Sequence, residues 1–176
     1  MISHAQTNGS ANHSSKAKLL STAGIIAALY VALTLVSALF GMSSGVIQIR
    51  ISEMLCILSV YTTAAIPGVT VGCLIANLLT GGTIYDIVFG TLATLIGSGC
   101  AYLLRNNKYL SFIPTVLANA IIIPFVLILS GVGGYEMFPF YSLTVGIGEL
   151  ISCGALGIVL IKYLESHKAT AERIFR

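Results

Sequence analysis

The sequence predicts an all-α membrane protein with six transmembrane helices in an S-component-like bundle. Three observations carry that prediction: the near absence of charge, uncharged apolar runs long enough to span, and basic residues that sit mostly in the tails and one loop. Only 9% of the 176 residues are charged against 56% hydrophobic, with a mean hydropathy of +0.96. A soluble domain carries about 25% charged residues and could not cover a core with so few. A bilayer suits such a surface, because lipid needs no polar covering but requires every backbone group to be satisfied internally.

The spans follow in order. The first is 17–40, uncharged over the 22 residues from Leu19 to Phe40, and about 20 residues cross the hydrocarbon. The residues before it are polar and do not read as a signal peptide. Gly41 to Gly45 read as a tight loop. The second span, about 47–65, opens on Gln48, Arg50, Ser52 and Glu53. Pro67-Gly68 breaks it, because proline disfavours helix in the residue before it. The third, 67–80, is short and ends at Gly81-Gly82. The fourth is 86–104, closed by Arg105-Asn-Asn-Lys108. The fifth is about 111–130, with Pro114 and Pro124, and the sixth is about 138–164. The domain reading is therefore a polar tail over 1–16, a six-helix domain over 17–164 and a charged tail over 165–176.

Charge gives the orientation. Lys16 and Lys18, then Arg105 and Lys108, then Lys162, Lys168, Arg173 and Arg176 all fall on one side of a six-span chain. The positive-inside rule makes that side, and both termini, cytoplasmic. The opposite connections, 41–46, 80–85 and 130–137, carry Glu136 but no Lys or Arg.

Enzyme chemistry finds little support. His4, His13 and His167 all lie in the tails, so no HExxH metal site or buried His-activated nucleophile is available. Tyr85-Asp86 is half of an intramembrane aspartyl-protease pattern without its Gly-x-Gly-Asp partner, and no Walker A sequence occurs. Cys56, Cys73, Cys100 and Cys153 are scattered singly through apolar segments and read as small hydrophobes, not as metal ligands or disulfides. No metal or cofactor is expected in this chain.

The polar groups inside the spans point to small-molecule transport. Ionisable groups at mid-helix cost about 2.5–3.5 kcal/mol each on insertion scales, so their presence needs a reason. Glu149 falls about eleven residues into the last span, or ~16 Å deep at 1.5 Å per residue. It has the weakest claim to a purely structural role. Arg50 and Glu53, at i,i+3, share a helical face and are placed to pair. Asp86 opens the fourth span, where it serves equally as a helix cap. Asn77 and Asn119 serve equally as interhelical hydrogen-bond partners. With Gln48, these groups occupy the outer half and centre of the membrane. That distribution describes a pocket open to the outside, not a continuous pore. On the first helix, Ala23, Gly24, Ala27, Ala28 and Ala32 place small residues at four-residue spacing. Such spacing allows close approach of another helix, from a partner or from this chain.

Six blocks in order carry a resemblance: Gln48-Ile-Arg-Ile-Ser-Glu53, Ala64-Ala-Ile-Pro-Gly68, Gly72-Cys-Leu-Ile-Ala-Asn-Leu-Leu79, Tyr85-Asp-Ile-Val-Phe-Gly-Thr-Leu-Ala-Thr94, Leu117-Ala-Asn-Ala-Ile-Ile122 and Gly146-Ile-Gly-Glu-Leu-Ile151. Over about 17–164 the chain resembles the QueT family of queuosine-precursor transporters, substrate-binding S-components of energy-coupling factor (ECF) importers. The resemblance implies six helices with cytoplasmic termini, a transmembrane T-component docked on the small-residue face of helix one, and two partner ATPases that hydrolyse ATP. It also implies a 7-deazaguanine-like ligand or another vitamin-like molecule. A deazaguanine edge offers adjacent N–H donors that a carboxylate can accept, while Asn satisfies a carbonyl and Tyr or Phe stacks on the ring. Two other classes stay open on the residues: a self-sufficient proton-coupled transporter working through Glu149, and a membrane assembly subunit that binds no ligand. The small size and absence of a repeated half weigh against the first.

Overall fold

A computed structural model describes residues 5–42 and 48–169, with side chains from Lys16 onward. The first four residues of the polar tail, most of the 41–46 connection, and Arg173 and Arg176 in the charged tail lie outside the described residues. Every element among the described residues is helical: α1 (Ala5–Leu39), a 3-10 helix (Ile51–Val60), α2 (Ala65–Leu79), α3 (Thr91–Leu103), α4 (Ile113–Leu129), α5 (Phe138–Glu149) and α6 (Gly157–Ser166), with short 3-10 turns at Arg105–Leu110 and Tyr135–Met137. Lys16–Leu39, Asp86–Leu103 and Tyr135–Ser166 are long and apolar enough to cross a membrane, while Ile51–Val60, Ala65–Leu79 and Ile113–Leu129 are apolar but shorter. Large apolar side chains face outward, including Leu20 at 76% exposure and Leu103 at 72%. The outer surface of the bundle is therefore built for lipid.

The second segment departs from the expected α-helix over 47–65. Arg50 is extended (φ −106°, ψ 99°), and a 3-10 helix replaces the α-helix from Ile51. Hydroxyls on α1 hold it there. The Ile51 N–H donates to Ser37 Oγ (3.1 Å), and Thr34 Oγ1 donates to Ser52 Oγ (2.8 Å). Side-chain bonds of this kind compete directly with the helical ladder. Nor does Pro67 interrupt the chain. It sits in the first turn of α2, which starts at Ala65, where a missing N–H costs nothing.

The small residues of α1 divide between two faces. Ala23 and Ala27 turn inward against α2, with Gly68 and Gly72 opposite. A Cβ added at Gly72 would lie 2.7 Å from Tyr30 Cβ and 3.0 Å from Ala27 O. Gly24, Ala28 and Ala32 face outward. The expected single docking stripe is thus half consumed by packing within the chain, because α2 supplies its own glycines to meet it.

Two side-chain clusters mark the ends of the bundle. At one end Lys108 pairs with Glu165 (3.3 Å), Tyr109 donates to the same carboxylate (2.9 Å), and Lys108 lies 4.9 Å from the Tyr61 ring centroid. Lys16 lines a shallow groove with Thr63, Ala64 and Pro67 at that same end. At the other end Thr83 Oγ1 and Ser130 Oγ join two connections at 2.9 Å.

Candidate functional site

The site grows from helices that change their winding at a carboxylate. Asp86 opens a π-helical turn, Asp86–Gly90, ahead of α3. Glu149 closes α5 just before a second π-helical stretch, Leu150–Leu156. Such turns leave the regular hydrogen-bond ladder and re-aim side chains, and they recur at functional sites. Alongside them runs the segment Gln48–Arg50, which lies outside any helix and is extended at Arg50. It lies so close to α5 that a Cβ at Gly148 would collide with the Gln48 carbonyl. Only glycine beside Glu149 permits that approach.

These elements enclose a cavity of about 340 Å³, lined by Gln48, Arg50, Asp86, Asn119 and Glu149, with walls from Ala38, Thr80, Gly82, Ile123, Leu127 and Val145. Small-molecule sites fall at about 300–1,000 Å³ and combine apolar walls with a few placed polar groups. The structure therefore brings five of the seven sequence-derived residues to one cavity, at the end of the bundle that carries Thr83 and Ser130.

The other two stand behind it. Asn77 is buried, accepts from Arg50 Nη1 (3.3 Å) and donates to the Asp86 carbonyl (3.1 Å). It positions the guanidinium instead of lining the cavity. Glu53 does not pair with Arg50, because Arg50 precedes the helix and the two side chains share no face. Glu53 instead accepts from the Tyr30 hydroxyl and from Cys56 Sγ, the latter at 3.2 Å. Cys73 likewise accepts from Thr94 Oγ1 (3.3 Å). Two of the cysteines thus take part in buried polar networks, beyond their role as small hydrophobes.

Hydrogen-bonding capacity decides what the cavity can hold. Arg50 commits one of its five N–H groups to Asn77. Asp86 Oδ2 accepts from the Thr83 N–H (3.0 Å) and Oγ1 (2.8 Å) while the Asp86 N–H faces Thr83 Oγ1 (3.3 Å), so the cap of this helix is Thr83, and Asp86, expected as the cap, is its partner three residues on. Asn119 donates to the Thr115 carbonyl (3.2 Å), leaving its own carbonyl oxygen and one N–H to offer. Glu149 is 7% exposed, and its Oε2 is buried without a hydrogen-bond partner. A buried acceptor left unpaired costs about 1–3 kcal/mol, more when charged, so this oxygen calls for a donor.

Sequence reasoning missed two features. The cavity wall is aliphatic, from Ile123, Leu127 and Val145, and none of its lining residues is aromatic. The Tyr or Phe expected to stack on the ligand is not among them, and two aromatic residues, Phe140 and Tyr141, line an adjoining pocket instead. The second feature is Gly148, whose importance depends on a neighbour a hundred residues away in sequence and leaves no local signal.

The profile of the QueT transporter family matches residues 20–166, a stretch that takes in every group just described. The chain belongs to the QueT transporter family. Among curated proteins, this QueT-family chain is 44% identical over 75 residues to the "Queuosine precursor transporter QueT" of Lactococcus lactis subsp. cremoris (strain MG1363), an alignment covering 43% of the chain and 44% of that relative. The match therefore spans less than half of the relative's length. No solved structure matches. Membership of a transporter family and the outward apolar surface together mark the chain as a membrane protein.

Proposed function

We propose that this chain captures a queuosine precursor of the 7-deazaguanine class from the outer side of the cell membrane, as the S-component of an ECF importer. The observation that carries the reading is Glu149, a buried carboxylate that lines the cavity and whose Oε2 has no hydrogen-bond partner among the described residues. A deazaguanine edge presents adjacent N–H donors, which suit this carboxylate, while Asn119 and Gln48 can satisfy a carbonyl. A site that pairs such groups in a dry pocket rejects analogues lacking them. The L. lactis relative, with its precursor-transporter name, supports the same substrate class.

In this reading the six apolar helical stretches all cross the membrane and both termini are cytoplasmic. Support comes from Lys16, Lys108 and Glu165, which gather at the end of the bundle away from the cavity. A cysteine at Ser166 should resist impermeant thiol reagents on intact cells and react after permeabilisation. Labelling from outside would sink the orientation.

A T-component docks on the outward face of α1 at Gly24, Ala28 and Ala32, and two cytoplasmic ATPases supply ATP hydrolysis. The competing reading, proton-coupled transport by the chain alone, draws on the same buried Glu149. Vesicle reconstitution separates them. The importer reading expects uptake only with the partner subunits and ATP, and expects Ala28→Trp to prevent co-purification of the T-component while ligand binding persists. Uptake by the purified chain under a pH gradient would favour the competitor.

A further inference from the structure

The main cavity shares part of its lining with a neighbouring pocket. Gln48, Leu127 and Val145 line the cavity, and the same three residues line a second pocket of about 170 Å³ completed by Val132, Phe140, Tyr141 and Thr144. The two spaces are neighbours across one shared partition. The second differs from the first in chemistry. No charged side chain lines it, whereas Arg50, Asp86 and Glu149 line the main cavity. Its walls are Leu127, Val132, Phe140 and Val145, and its polar groups are one amide and two hydroxyls.

Those hydroxyls are already committed as donors. Tyr141 donates to the Val132 carbonyl, and Thr144 Oγ1 donates to the Tyr141 carbonyl (3.1 Å). Each oxygen keeps lone pairs, so both can accept from a ligand but cannot donate without breaking a bond. The pocket therefore suits a compact ring with an apolar face and hydroxyl donors. It suits a phosphate poorly, for which it offers no cation and, among its side chains, only the Gln48 amide as a donor.

We propose that the ligand of this site is a nucleoside rather than a free base or a nucleotide, its base in the main cavity and its sugar in the adjoining pocket across Gln48. This inference rests on the proposed function for the identity of the base. It makes the 7-deazaguanine part and the hydroxylated ring two separately measurable contributions.

The experiment is calorimetric titration of purified full-length chain with 7-deazaguanine, 7-deazaguanosine and 7-deazaguanosine 5′-monophosphate. The nucleoside should bind roughly 10- to 100-fold tighter than the base, by burial of the ring, and the monophosphate weaker than the nucleoside. Thr144→Phe should fill the second pocket and erase the preference while base affinity stays within about 2-fold, and retained base binding also shows that the variant folds. If Thr144→Phe binds none of the three, Val132→Trp, at a half-exposed position on the pocket's rim, decides by the same criterion. Equal affinity of wild type for base and nucleoside would overturn the nucleoside assignment and leave the proposed function standing. Binding of none of the three by wild type would overturn both.

Discussion

Glu149→Gln is expected to weaken 7-deazaguanine binding by roughly 30- to 1000-fold, from the loss of a charged hydrogen bond and the burial of mismatched donors, about 2–4 kcal/mol together. The substitution keeps the side chain's shape but turns one acceptor into an NH₂ donor that faces the ligand's own donors. Glu149 Oε2 has no protein partner to lose, so folding should change little and thermal stability without ligand should stay near wild type. That combination separates a recognition group from a structural one. A variant that unfolds would reveal a packing role, and one that binds normally would shift recognition to Arg50 and Asp86. Titration and a melting curve on the same preparation suffice.

Gly148→Ala should have the second large effect. In a helix interior, Gly to Ala ordinarily stabilises by up to about 1 kcal/mol. Here the added methyl would run into the Gln48 carbonyl, which is backbone and cannot swing aside as a side chain would. Overpacking of this kind costs about 1–3 kcal/mol. The strain falls on the segment that carries Gln48 and Arg50, so affinity should drop roughly 5- to 150-fold if the bound state bears all of it. Gly146→Ala is the matched control, since a methyl there meets Ala120 Cβ at an ordinary 3.7 Å. Wild-type affinity and stability in Gly148→Ala, or equal losses in both variants, would refute the close approach.

Much of the site was legible in the sequence because bilayers make polar groups conspicuous. Gln48, Arg50, Asp86, Asn119 and Glu149 stood out as polar side chains among apolar runs, and all five reach one cavity. What the sequence concealed depended on partners distant in the chain. Glu53 looked like Arg50's mate at i,i+3, a relation that assumes an α-helix. Tyr30, Thr34 and Ser37 on α1 instead hold Glu53, Ser52 and Ile51, and the chain at Arg50 is extended. The apolar run Ile51–Val60 has no period that separates a 3-10 from an α-helix, so only these cross-element bonds decide. The α1 stripe was similarly ambiguous. Small residues at four-residue spacing announce a close approach without saying to what, and Gly68 and Gly72 claim half of it. The aromatic residues were placed by composition alone, which carries no information about which of two adjoining pockets they line.

The central claim is that this cavity holds a 7-deazaguanine-class molecule through Glu149. Native mass spectrometry of the chain purified from cells supplied with queuosine precursors tests it most directly. Wild type should carry a bound small molecule whose released mass and fragmentation show a 7-deazaguanine core, and Glu149→Gln purified in parallel should carry none. A co-purified molecule of another chemical class, or the same molecule retained at equal occupancy by Glu149→Gln, would contradict the account.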